Sequence, residues 1–102
     1  MMRHRHPTYQ ETFIVLEGRF TFHVDDERTT LGPGAIIIIP RGAWHGFECI
    51  SPEPGRLLTV STPAGVFEAF IADVCSAGLN KGPEGGATFE EVAARHRIEF
   101  RA

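Results

Sequence analysis

Cysteine is scarce: the 102 residues hold two, Cys49 and Cys75. That is too few for a disulfide framework, so reduced thiols in a cytoplasmic protein are expected. Long apolar runs are missing as well. No stretch approaches the roughly 20 residues of a membrane span, and the polar, basic start has no apolar core behind it, so no signal peptide is expected. Positive charge is not in excess. Ten Lys and Arg against thirteen Asp and Glu leave a formal net charge of -3, which argues against binding nucleic acid or an anionic membrane through bulk electrostatics. No repeat or low-complexity tract is evident. With 42% hydrophobic and 23% charged residues, one ordinary globular domain remains, close to the length at which a single core suffices.

Short strands separated by turn signals fill the first sixty residues. Glu11 to Leu16 is rich in β-formers and ends at Glu17-Gly18, a hairpin turn. Phe20 to Val24 resumes, with Phe20, Phe22 and Val24 on one face and Thr21 and His23 on the other; His23 reads as a surface histidine. After a polar turn, Arg28 to Leu31 returns, and Gly32-Pro33-Gly34 breaks the chain. Ala35 to Ile39 contains four consecutive isoleucines, a strand expected to be buried on both faces. Pro40-Arg41-Gly42 stops it, Ala43 to Ile50 restarts it, and Arg56 to Thr62 forms a last strand. This spacing predicts a sandwich or barrel.

Beyond Pro63 the period becomes helical. Val66, Phe67, Phe70, Ile71 and Val74 predict a helix over Gly65 to Ala77. Leu79 to Ala87 reads as a flexible connector, and Thr88 with Glu91 as a capping box opening a short helix to about His96, a solvated residue at the helix end. Ile98-Glu99-Phe100 is either a docking segment or a frayed tail. Residues 1–62 are thus expected to form the strand-built part, and 63–102 a helical extension of the same domain.

The chemistry gathers near the start. His4 and His6 stand two apart, so in a strand they share a face. Pro7 cannot continue an interior strand, and Pro-Thr-Tyr-Gln is long enough to reverse the chain. Glu11 then returns on a neighbouring strand facing the histidines, and two imidazoles with a carboxylate suit a divalent transition metal. Tyr9 and Gln10, in the loop before Glu11, are placed for polar contacts at the mouth of a barrel, although solvation is the commoner role of such loop residues.

A second stretch follows thirty residues on: Gly34, five residues, Pro40-Arg41-Gly42, two residues, His45. With His4-x-His6, four residues, Glu11, six residues, Gly18, it resembles the paired motifs of the cupin superfamily. The resemblance covers Arg3 to about Thr62. The later part is similar to that of small single-domain bacterial cupins of the quercetin dioxygenase-like group. It implies a mainly β fold, a jelly-roll β-barrel shortened at its N-terminus, followed by one or two short helices. It also implies His45 as a fourth ligand beside His4, His6 and Glu11. Iron, manganese, nickel, copper, cobalt and zinc all suit this set. An octahedral ion would keep up to two positions open, whereas tetrahedral zinc would be closed and structural.

Two departures stand out. Members carry a glycine and one or more strands before the first histidine, and Cys49 replaces the final asparagine of the second motif. The bare edge left by the first departure predicts a homodimer joined through sheet edges or apolar sheet faces.

The functional expectation is a metal-dependent, dioxygenase-type oxidoreductase acting on a small aromatic or enol-type molecule, with Glu11 as ligand and transient base. Phe13 and Val15 share Glu11's face, and Phe47 and Cys49 share His45's, so these four are the expected substrate wall. The same scaffold also serves non-catalytic binding or sensing of a small molecule or metal, and non-redox isomerase or lyase chemistry.

Overall fold

A computed structural model describes residues 3–76 and 89–101. Its strands are β1 (Arg3–Arg5), β2 (Gln10–Glu17), β3 (Phe20–Val24), β4 (Glu27–Leu31), β5 (Ile36–Ile39), β6 (His45–Cys49), β7 (Arg56–Thr62) and β8 (Glu99–Arg101). Between β7 and β8 lie helices α1 (Val66–Ser76) and α2 (Phe89–Arg95). All pairings are antiparallel. One sheet runs β4-β3-β6-β1-β8 and the other β5-β2-β7. The jelly roll is therefore two facing sheets, and among the described residues no ladder joins them into a closed barrel. The chain changes sheets at Pro7-Thr8-Tyr9 and at Gly32-Pro33-Gly34, where proline has no N–H to donate.

Alternation builds the core between the sheets. Phe13 and Val15 of β2 and Phe20 and Phe22 of β3 are buried together with Ile39 and Ala43. Glu17-Gly18 is not the expected hairpin turn, because β2 and β3 belong to different sheets. Gly18 carries the chain across with a φ of +80°, and a Cβ there would lie 3.0 Å from Gly55 Cα and 2.8 Å from Ser51 Oγ. Only glycine meets both demands.

The four-isoleucine strand departs from expectation. Ile39 is buried, but Ile36 is 61% and Ile38 56% exposed. β5 is an edge strand of a sheet with one face on the core, so alternate side chains must leave it. Leu58 and Val60 of β7 and Leu16 of β2 are exposed as well. Trp44 also faces outward, stacked between Arg5 (4.6 Å) and Arg101 (4.4 Å).

A second cluster joins Phe70 and Val74 of α1 to Val92 and Ala93 of α2 and to Ile98, with Phe67 and Phe100 packed against it. His96 is not simply solvated: its Nε2 lies 3.0 Å from Asp73 Oδ2. Ile98-Glu99-Phe100 proves to be a docking segment, because β8 pairs with β1 and covers the edge expected to be bare. The connector over 79–87 and the cap at Thr88 lie outside the described residues.

Candidate metal centre

Each donor arrives by a local rule. His4 sits in the middle of β1 and directly opposes His45, the first residue of β6. His6 follows at the same parity. Glu11 does not return on an adjacent strand of that sheet; Pro7-Thr8-Tyr9 carries the chain into the opposing sheet, and β2 presents Glu11 from across the core. The turn after β5 is tied to the first motif by the Gly42 N–H, which donates to the His6 carbonyl (3.3 Å). Gly42 holds a φ of +80° there.

The four side chains meet. One donor atom from each of His4, His6, Glu11 and His45 lies within 4.8 Å of all the others. Nε2 of His6 and Nε2 of His45 are 3.2 Å apart. Glu11 Oε1 is 3.4 Å from His6 Nε2, and Oε2 is 3.4 Å from His45 Nε2. Two donors about 2.1 Å from a shared ion stand roughly 3.0 Å apart at a right angle and roughly 3.4 Å apart at a tetrahedral angle. The spacing fits.

Protonation makes the same point. His6 Nδ1–H donates to the Tyr9 carbonyl (3.0 Å) and His45 Nδ1–H to the Ala43 carbonyl (2.9 Å). A carbonyl only accepts, so these contacts assign the proton to Nδ1 in both rings. In the neutral rings both Nε2 atoms then present lone pairs to each other and to a carboxylate. No hydrogen bond links two lone pairs, so this buried, electron-rich centre calls for a cation. The backbone anchors are the outer partners that orient ligating imidazoles.

The charge states suit such a cation. Burial, aided by the neighbouring His45, lowers His4 to about 4 against the opposing pull of Glu11. For Glu11 burial is the largest single influence and acts upward. In the metal-free centre a proton on Nε2 of His45 or His6 stands where the cation would. The hydrogen bonds and charge it supplies outweigh burial and hold the carboxyl at about 2. A neutral His4 and an ionised Glu11 are the forms a metal takes up.

Tyr9 belongs to this site rather than to solvent. It is 1% exposed, and its ring stacks on His6 with centroids 3.8 Å apart and planes 2° from parallel. Burial and the Glu11 charge raise its hydroxyl pKa, keeping the phenol protonated. Its place two residues before Glu11, on the same strand face, was the available signal.

The expected substrate wall is distributed. Phe13 and Val15 are buried in the core. Phe47 packs against Phe13 with centroids 5.3 Å apart and is 39% exposed. Cys49 is exposed, with its Sγ 3.3 Å from Ser51 Oγ. Gln10 is half-buried.

A family model described as the cupin domain matches residues 2–61. An uncharacterized protein of Methanocaldococcus jannaschii is 35% identical over 60 residues, covering 59% of this chain and 48% of that protein. A Thermus thermophilus crystal structure superposes with a TM-score of 0.55 at 34% identity, over 58% of this chain and 56% of that one. An uncharacterized Klebsiella pneumoniae protein with a double-stranded β-helix domain gives a TM-score of 0.57 at 33% identity, over 62% and 56%. The chain thus spans about half the length of these relatives.

Proposed function

Since the chain belongs to the cupin family, we propose that it is a metal-dependent oxidoreductase of dioxygenase type, akin to the quercetin dioxygenase-like group, acting on a small aromatic or enol-type molecule. One divalent transition metal would be held by His4, His6, Glu11 and His45. Such an ion, when bound, supplies Lewis acidity toward a substrate oxygen and, for a redox-active metal, electron exchange with O2. The observation that carries the proposal is the pair of Nε2 lone pairs 3.2 Å apart beside a buried carboxylate.

The chain's own groups do the rest. The Tyr9 and Ala43 carbonyls hold His6 and His45 in the Nδ1–H tautomer. Glu11 is the sole carboxylate of the four-residue group, so one of its oxygens is the acceptor for a substrate hydroxyl proton. Phe13, Phe22 and Ile39, buried together between the sheets, keep water out of the core. A homodimer formed through the outer face of β5-β2-β7 completes the proposal, supported by the exposed aliphatic side chains there.

Metal analysis of protein purified without an affinity tag, followed by oxygen-uptake assays with flavonols, diketones and catechols, tests the reading. Bound iron, copper or nickel with oxygen consumption that Glu11→Gln abolishes is the expected result. Full activity in Glu11→Gln overturns the role of Glu11. A second, non-catalytic binding reading has one observation in its favour: three of the four donors are at most 5% exposed, which suits a closed site. Tight ligand binding without turnover would select it.

A further inference from the structure

Access to the centre is one-sided. His6, Glu11 and His45 are buried, while His4 is only half-buried, so whatever approaches the donors comes past His4. Toward the core, Ile39 is the strand partner of Glu11 and is buried with Phe13 and Phe22. The half-buried donor His4 is the strand neighbour of β8, so the C-terminal segment borders the accessible side.

That side is aromatic. Phe100 of β8 directly opposes His4 across the sheet, with ring centroids 5.7 Å apart. Phe67 of α1 meets Tyr9 edge-on at 6.2 Å. Phe70 and Phe89 link the two from behind, at 6.4 Å from Phe67 to Phe70, 5.9 Å from Phe70 to Phe89 and 5.5 Å from Phe89 to Phe100. Phe70 is buried, whereas Phe67 and Phe100 keep part of their surface uncovered. Both lie outside residues 2–61, the part matched by the cupin domain.

We propose that Phe100, beside His4, and Phe67, beside Tyr9, form an aromatic clamp that binds the ring portion of the substrate, so that α1 and β8 select a planar aromatic molecule. This rests on the metal-centre reading above and narrows its substrate from aromatic or enol-type to aromatic. Edge-to-face or offset stacking against two partly covered rings favours a flat π-system over an aliphatic one.

The test uses full-length protein loaded with manganese, an octahedral ion with two positions open, under nitrogen so that there is no O2 to react with. It titrates two probes that chelate metal: 4-nitrocatechol, followed by its absorbance, and non-aromatic acetohydroxamate. Phe67→Leu and Phe100→Leu keep an apolar side chain in the cluster. Each is expected to weaken 4-nitrocatechol binding roughly three- to tenfold, the worth of one aromatic contact, and to leave acetohydroxamate and manganese stoichiometry unchanged. Unchanged 4-nitrocatechol affinity in both variants overturns the clamp. So does an equal loss of both probes, or a manganese-loaded wild type that binds acetohydroxamate alone or neither probe. Failure to take up manganese overturns clamp and metal centre together. Binding of both probes with the expected losses, but without oxygen consumption in the iron-loaded protein, ends the dioxygenase reading and leaves the clamp standing.

Discussion

Nε2 of His6 and Nε2 of His45 face each other at 3.2 Å, and each ring spends its only neutral-state proton on a backbone carbonyl. The backbone thus imposes a juxtaposition that the two side chains alone would avoid. A divalent ion between them replaces lone-pair repulsion with two coordinate bonds. Binding of such an ion to the folded chain alone raises stability by about 2.7 kcal/mol at a hundredfold excess over Kd, or about 10–20 °C in Tm for a domain of this size. Zinc, nickel, cobalt and manganese added to chelator-treated protein should each raise Tm in a scanning melt, and His45→Gln should remove most of the rise. A wild-type Tm indifferent to all four metals would sink the metal centre.

Acid should unfold the metal-free protein in two stages. Folding lowers His4 from 6.5 to about 4, so between those values the unfolded chain binds the extra proton. Stability therefore falls as pH drops through that window. Folding also lowers Glu11 from 4.5 to about 2. Its contribution is present above 4.5 and is lost as pH falls toward 2. Urea midpoints across this range should slope downward from near pH 6.5, and His4→Asn should flatten the upper part of the slope. A flat profile between pH 6.5 and 4 in the wild type would contradict the burial of His4.

Local pattern carried much of the fold because core strands obey a period of two. Phe20, Phe22 and Val24 pair in register with Cys49, Phe47 and His45 as alternation requires. Strand parity made the shared face of His4 and His6 legible, whereas His45 rested on the resemblance of the second motif. Glu11 was expected on a neighbouring strand rather than on the opposing sheet. The exposure of Ile36 and Ile38 was not legible, since an apolar run reads alike whether its outer face is buried or awaits a partner. Nor was Tyr9, whose place after Pro7 suggested a solvated loop, although the donor His6 bonds its carbonyl. The docking of β8 on β1 joins Arg3 to Arg101. No local window spans that distance.

Gly18 offers a test of the crossing from β2 to β3, between the two sheets. Its φ of +80° and the nearness of Gly55 Cα leave no room for a side chain. Gly18→Ala should cost on the order of 1–3 kcal/mol through the left-handed conformation, with a further penalty if the backbone at Gly55 must shift. Chemical denaturation should show the loss, while the folded variant keeps wild-type metal stoichiometry. A variant of unchanged stability would mean that the turn relaxes freely.

The outer face of β5-β2-β7 carries Ile36 and Ile38 beside Leu58 and Val60, all more than two-fifths exposed. Apolar and without charge at these positions, the face is complementary to itself, as a two-fold interface requires. Burying one such side chain is worth about 1.5–3 kcal/mol, and a two-fold axis doubles every substitution. Ile38→Lys places two ammonium groups in the dimer where two isoleucines were buried, so it should raise the dissociation constant more than about a hundredfold. Sedimentation velocity at micromolar concentration should then show a wild-type dimer and a monomeric Ile38→Lys of undiminished metal content. Should the wild type itself sediment as a monomer, this face serves some other partner, and the bare isoleucines need a different explanation.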